Sequence, residues 1–560
     1  MKTLWIDKSF IPFAVIAIAG LLLYAQTFSF GFSYLDDDAL ILNNAYFLSN
    51  PGSIIDSFRY DVGGPPSTSS GSYGFYRPIL TLSFIFDYAL GGANPAVYHA
   101  TNIILHIVVA ELLFVLFRAF SVNRRASFGL ALLFLIHPIV LSVAAWIPGR
   151  NDALLAIGVF GSLFFFITFW KEPRFLYFLL HQVFFLCALF TKETAFVLPL
   201  LCSLYVVLIA KERIFVFNRR RVMFIVCWVI LLISWVVMRQ AALPDNHTTI
   251  APAGIVSSIT MNAPGAFSYL GKAFFPFKLS VYPIRQDILI WPGVLVAFFL
   301  VLGFVFSSVK KRRTMLFGLC WFVLFIIPGL VNTQEVLKAD FAEHRAYIPL
   351  FGLVLFLSQV PFERMMPERS ERYWQTIIFG ALVVFYGVTN IYHAGVYRNA
   401  KNFWTNAVQT SPHASAAHNG LGAYYYLEGE LDRSAEEFQK AIALNDSGSE
   451  YHYNLGMVYL QKNMYAQAEQ EFKKEIAANA SYIKAYLNLG VVYYFTGNTQ
   501  EAEIAWLEGL KINPHYHDIH NNLAYLYYQQ GKREEALRHA RIILDDGGAL
   551  REQVRKALEP

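Results

Sequence analysis

FIPFAVIAIAGLLLYAQTF, Phe10–Phe28, is followed a few residues later by SYLDDD, Ser33–Asp38. The first stretch carries no charged side chain and is long enough to cross a hydrocarbon core about 30 Å thick. It is long for the apolar part of a secretory leader, and no small-residue cleavage pattern precedes Tyr34, so it reads as a retained first span. Three carboxylates then stand at the mouth of a membrane helix.

The rest of the chain repeats the first stretch. Of 560 residues, 56% are hydrophobic and 15% charged, where a soluble domain carries about 25% charged residues. Apolar runs predict about eleven spans: 10–28, 100–118, 126–145, 151–169, 175–190, 194–210, 220–238, 291–308, 314–331, 345–360 and 374–391. Basic residues gather in alternate loops: Lys2 and Lys8, Arg118 to Arg125, Lys171 and Arg174, Lys211 to Arg221, Lys310 to Arg313, and Arg364 to Arg372. These loops are expected on the cytoplasmic side. The loops 29–99, 239–290 and 332–344 and the C-terminal tail then face outward. The net charge of +5 divides into +11 before Ser411 and −6 from Ser411 onward, which gives no sign of a nucleic-acid partner. Cys187, Cys202, Cys227 and Cys320 all lie in apolar runs and read as small buried hydrophobes.

The tail is periodic. Leu421-Gly422, Leu455-Gly456, Leu489-Gly490 and Leu523-Ala524 recur every 34 residues, as do Tyr425, Tyr459, Tyr493 and Tyr527. Ser434, Ala468, Ala502 and Ala536 keep the same spacing, and so do Phe438, Phe472 and Trp506. This is the tetratricopeptide signature, in which small residues let paired helices approach and an aromatic ring fills the gap. Ala400, Trp404, Ala407 and Pro412 match the second helix of a preceding unit. The expected domains are a polytopic membrane domain over 1–395, a connecting half-repeat over 396–412, a repeat domain over 413–548 and a tail over 549–560. Such a solenoid offers a concave face to an extended protein or serves assembly alone.

Chemistry is sought at the outer ends of the spans. Asp36, Asp37 and Asp38 are under mutual like-charge stress and suit either proton transfer or a divalent metal held against a phosphate, so the metal is left open; the alternative is a solvated acidic turn. Arg77, after a Gly/Pro/Ser-rich stretch, has the donor fork to face a lipid phosphate or to anchor a headgroup. His99, Asn102 and His106 share a helix face, where interior hydrogen bonding is favoured over metal binding. Arg150 and Asp152 either pair around a phosphate or cap a turn. Lys192 and Glu193 sit in another sharp turn. Glu343, His344 and Arg345 precede a further span. The long loop 239–290 adds His247, Lys272, Lys278, Tyr282 and Arg285 without specifying a reaction.

In order along the chain, Leu35-Asp36-Asp37-Asp38, Tyr76-Arg77-Pro78, Tyr98-His99 with Asn102 and His106, Gly149-Arg150-Asn151-Asp152, Lys192-Glu193, Glu343-His344-Arg345 and the tail repeats resemble the transmembrane and tetratricopeptide-repeat-containing O-mannosyltransferases. These lie within the GT-C membrane glycosyltransferase superfamily. The family commonly has alanine where this chain has Asn151, and here His344 separates Glu343 from Arg345. The resemblance implies an all-α fold, a GT-C-like membrane helix domain followed by a tetratricopeptide solenoid. It implies a polyisoprenyl-phosphate sugar donor and inverting transfer to a hydroxyl, with protein Ser/Thr favoured, on a periplasmic, lumenal or extracellular face. A bacterial inner membrane is the preferred setting and mannose the family's sugar. Asp36 or Asp37 then acts as base. Arg345 is first choice for the leaving phosphate, with Arg77, Arg150 and Lys192 beside it. Asp38, His99, Asn102, Asp152, Glu193, Glu343 and His344 support them. The competing expectation is a non-enzymatic membrane scaffold that recruits partners through its repeats.

Overall fold

A computed structural model describes residues 10–65, 74–212, 219–243, 252–331, 341–361, 371–448 and 450–558. Lys2, Lys8, His247 and Arg364 lie outside the described residues. The regular elements among them are all helical, and the chain divides into two compact units after Ser411.

In the first unit, six helices among the described residues are long and apolar enough to cross a membrane: Ile11–Ser29, Pro95–Ala119, Ile147–Lys171, Arg219–Ala242, Val309–Leu330 and Tyr373–Tyr397. A seventh span arises if Arg124–Ile136 and Pro138–Ala145, bent by 54° at their junction, act as one. Pro138 lacks an N–H and crowds the preceding turn, which breaks the helix there. The four other expected spans are shorter elements: Phe175–Thr191, Glu193–Leu208, Trp291–Phe306 and Tyr347–Leu357. The last has 11 residues, about 16 Å at 1.5 Å per residue, well under a membrane's thickness. Pro78–Gly91, expected as loop, is another short apolar helix.

Aromatic side chains fill the centre of this unit, with Phe160, Trp321 and Phe351 in mutual ring contact. Backbones meet where side chains vanish. A Cβ on Gly318 would stand 2.4 Å from Gly352 O, and one on Gly352 2.3 Å from Gly318 O. Such small-residue crossings let membrane helices approach closely. Only 11% of the most apolar stretch of Arg219–Ala242 and 22% of that of Tyr373–Tyr397 is buried, so both turn apolar faces outward. The half-repeat helix Ala400–Thr410, capped by Asn399 on Asn402 N (2.9 Å), belongs to this unit rather than to the solenoid.

The second unit is four antiparallel helix pairs, Ser415–Leu427 with Leu431–Leu444, Tyr451–Gln461 with Tyr465–Ala478, Ile483–Phe495 with Thr499–Ile512, and His517–Gln529 with Arg533–Asp545. The signature explains their packing. A Cβ on Gly422, Gly456 or Gly490 would meet Phe438, Phe472 or Trp506 within 2.8 Å. Between paired helices, Gly429, Gly497 and Gly531 take positive φ, and Asn463 takes the equivalent place with φ 58°. These are the left-handed caps that glycine or asparagine accepts most readily. The tail forms a helix, Glu552–Leu558; Arg551, just before it, bonds Asn521, Asn522 and Asp518 of the last pair.

Buried histidine pairs also recur. His418 donates to Glu437 at 2.6 Å and His452 to Glu471 at 2.5 Å, while His520 meets His539 at 2.7 Å in the fourth repeat. The hydrogen bond to Glu471 raises the His452 imidazole above its usual value. Burial pulls the Glu471 carboxyl up, but hydrogen bonds from His452 and Lys474 outweigh it and leave it lowered. His452 therefore stabilises fully below about pH 6.5, and this is lost as pH rises through its raised value. Glu471 stabilises above about pH 4.5, and this is lost as pH falls through its lowered value. His452→Gln is expected to lower the thermal midpoint of the 412–560 unit more at pH 6 than at pH 8. Equal losses at both pH values would show that the pair is not charged.

Candidate functional site

The acidic loop follows the first span through the 3-10 turn Ala25–Ser29. Asp36 sits at φ 66° and Tyr34 at φ 56°, a left-handed backbone uncommon outside glycine and enriched at functional sites. The turn exposes Asp36 and drives Asp37 inward, to 1% exposure. Ser33 donates from its backbone N (2.5 Å) and Oγ (2.6 Å) to Asp37 Oδ2. Asp37 Oδ1 is buried without a hydrogen-bond partner among the described residues. Burial pushes the Asp37 carboxyl up to about 7; the Ser33 hydrogen bonds oppose this, and Asp36 and Asp38 reinforce it. A carboxyl that holds its proton near neutrality can exchange it with substrate at working pH.

One backbone contact links this loop to the other turns. Trp146 Nε1 donates to Leu35 O (3.1 Å), and the Trp146 ring lies against His344 at 5.5 Å. His344 in turn acts electrostatically on Asp152. Asp152 accepts from Lys192 Nζ at 2.9 Å, and Arg77 Nη2 approaches Glu193 at 3.4 Å. With its amide turned to satisfy both neighbours, Asn151 accepts from Arg77 Nη1 (3.1 Å) and donates to Thr191 O (3.0 Å). Arg77 also lies over the Phe75 ring, and its Nε is buried without a partner among the described residues. Arg77, Asn151, Asp152, Lys192, Glu193 and His344 thus meet as one partly buried polar group.

Other expected site residues make their contacts elsewhere. Arg150 is fully buried, with Nη1 on Asp87 at 2.5 Å, Nε on Asn102 Oδ1 at 2.8 Å and Nη2 on Tyr98 O at 2.8 Å. Its donors are turned into the protein rather than toward a ligand. The Asn102 amide donates to the carbonyls of Val143, Trp146 and Ile147, so this network fixes the turn that presents Asn151 and Asp152. Arg345 Nη1 donates to Gly329 O at 3.1 Å. Glu343, 3% exposed, accepts from Lys272 Nζ (2.9 Å) and Ser280 N (2.8 Å) and faces His393. His106 bonds Tyr347 Oη (2.7 Å) and Leu135 O (3.0 Å), an interior role, and His99 packs edge-on to Phe30. Among the described residues no three His, Cys, Asp or Glu side chains converge as metal ligands.

The tetratricopeptide-repeat family profile matches residues 393–449, 428–483, 453–517 and 487–550. The mouse protein O-mannosyl-transferase TMTC2 is 38% identical over 149 residues, which are 27% of this chain and 17% of that protein. Drosophila melanogaster Tmtc1 is 31% identical over 182 residues, 32% of this chain and 21% of its own length. Mouse TMTC4 is 22% identical over 476 residues, 73% of this chain and 63% of that protein. This is a tetratricopeptide-repeat protein related at moderate identity to the TMTC O-mannosyl-transferases. The chain spans less than two thirds of the length of these relatives. A solved structure of MamA is 24% identical over 26% of this chain and 86% of that one, with a TM-score of 0.25.

Sequence reasoning missed Asp87 and Trp146, which hold the turns of this TMTC-related chain in place. Asp87 left a signal. A lone carboxylate in the apolar run Pro78–Gly91 needs a partner, because an unpaired charge there is expensive. Trp146 left none, since tryptophan is unremarkable at a span's end.

Proposed function

We propose that the protein is a membrane glycosyltransferase that moves a sugar from a polyisoprenyl-phosphate-linked donor to a hydroxyl, favoured as protein Ser/Thr, on the non-cytoplasmic face. The observation that carries this reading is Asp37, a buried carboxyl with one oxygen lacking a partner among the described residues, in a loop tied through Trp146 to the turn that carries His344. The acceptor oxygen attacks the anomeric carbon, Asp37 takes its proton, and the bond to the lipid phosphate breaks with its electron pair on the phosphate. Attack opposite the leaving group inverts the anomeric centre. Arg77, with a spare Nε, and Lys192, with one of three donors engaged, meet the growing phosphate charge. Arg150 is assigned the positioning of the Asn151–Asp152 turn. Arg345 is kept as a phosphate contact that swings from Gly329. The N-terminus is placed in the cytoplasm and the solenoid outside, on the distribution of basic loops.

Release of lipid phosphate from a polyisoprenyl-phosphate sugar, dependent on added acceptor, tests the reaction. Stable partner capture with no acceptor-dependent consumption of the donor counts for a scaffold. Ending the chain at Ser411 is expected to reduce transfer to a protein acceptor by about tenfold or more while leaving donor affinity within about twofold, as loss of a tethered acceptor site does. Unchanged protein transfer by the shortened chain rules out presentation by the solenoid.

A further inference from the structure

A cavity of about 470 Å³, lined by none of the polar group just described, lies between the Pro264–Phe274 helix, the start of Trp291–Phe306 and the end of Ala400–Thr410. Its wall is mostly apolar, built from Phe275, Phe277, Ile288, Leu289, Trp291 and Leu295. Phe275, Phe277, Leu289, Trp291 and Leu295 are also exposed on the outer surface, so the cavity opens onto an apolar surface continuous with the outward face of Trp291–Phe306. Phe298, Phe299 and Val301 extend that face. Apolar surface of this extent, next to membrane spans, meets lipid rather than water.

The polar lining is confined to a few groups. Lys272 is neutralised by Glu343 at 2.9 Å. Ser280 and Thr410 bond each other at 2.6 Å. Asp287 contributes one carboxylate. Lys278 is exposed and makes no ion pair among the described residues. An apolar slot with an uncommitted ammonium beside it matches a hydrocarbon chain joined to a phosphate. None of Arg77, Asn151, Asp152 and Lys192 lines the cavity, so a phosphate held here is not the one that leaves in the proposed transfer.

We infer that this cavity is a binding site for an anionic glycerophospholipid, with one acyl chain on the Phe275–Leu295 wall and its phosphate on Lys278. The site is independent of the glycosyltransferase reading. It bears on it only through Glu343, which accepts from both Lys272 and Ser280 of the lining and precedes His344 in the polar group. Occupancy would hold that turn in one position.

The test uses the full chain in detergent, with lipid adducts counted by native mass spectrometry during titration with phosphatidylglycerol or phosphatidylcholine of matched chains. The parent is expected to retain one phosphatidylglycerol more tightly than phosphatidylcholine. Lys278→Glu and Lys278→Ala, both at an exposed position, weaken phosphatidylglycerol by about tenfold, the scale of one charge-assisted contact, and weaken phosphatidylcholine less, because its choline ammonium already offsets the same phosphate. Leu295→Trp, which fills the slot, weakens both lipids, and an unchanged thermal midpoint confirms that each variant is folded. Equal binding of the two lipids by the parent, undiminished phosphatidylglycerol on either Lys278 variant, or undiminished lipid on Leu295→Trp overturns the proposal. Displacement of phosphatidylglycerol by farnesyl phosphate at equal concentration also overturns it, because the slot then belongs to an isoprenoid.

Discussion

Replacing Asp37 with asparagine is expected to lower acceptor-dependent turnover by about 10²- to 10⁴-fold, the usual contribution of a positioned general base. The substitution keeps the side chain's size and an oxygen that can accept from Ser33 N and Oγ, now at 2.5 and 2.6 Å, so the loop is retained. What is lost is an ionisable group whose carboxyl is pushed up to about 7 by burial. Because the base acts in its ionised form, activity of the parent rises as pH increases through about 7, and this limb is absent from whatever activity the variant keeps. Asp36→Asn, at an exposed position, leaves the limb in place. A parent profile flat between pH 6 and pH 8, or full activity in Asp37→Asn, removes Asp37 from the mechanism. The stability consequence has the opposite direction. A carboxyl raised from 3.8 to about 7 in the fold stabilises at low pH, and that contribution is lost as pH rises through about 7.

The second large effect is on the fold. Arg150→Met leaves Asp87 as a buried carboxylate without its cation, both side chains being 0% exposed. Removing one partner of a buried pair typically costs about 3–5 kcal/mol. The thermal midpoint of the solubilised chain is expected to fall sharply, and transfer with it, because Arg150 also holds Asn102 and through it the Val143, Trp146 and Ile147 carbonyls. Asp87→Leu combined with Arg150→Met recovers part of the midpoint. Recovery is incomplete, since Asn102 Oδ1 and Tyr98 O still lose a donor. A midpoint unchanged in the single variant would mean that the pair does not form.

Much of the architecture was legible in the sequence because it is written in local patterns. The 34-residue period places Gly422 under Phe438 and Gly456 under Phe472, and the structure packs them so. The apolar runs at 10–28, 100–118 and 151–169 lie within or against the long apolar helices Ile11–Ser29, Pro95–Ala119 and Ile147–Lys171. Hydropathy was a weaker guide where helices are short. Phe175–Thr191 and Tyr347–Leu357 are apolar because protein surrounds them as much as because lipid does, and composition does not separate these two solvents. The candidate site was legible in its residue types and only partly in its grouping. Arg77, Asp152 and Lys192 converge, whereas Arg150, expected beside them, points to Asp87.

Sequence alone therefore determined the helical class, the repeat tail and the presence of an acidic loop after the first span, since each depends on residues a few positions apart. Tertiary structure alone decided which polar groups meet. Arg150 and Asp87 are 63 residues apart and Tyr347 and His106 are 241 apart. The choice of partner over such distances follows from the path of the chain and the cost of leaving a buried charge unpaired, neither of which any local pattern encodes.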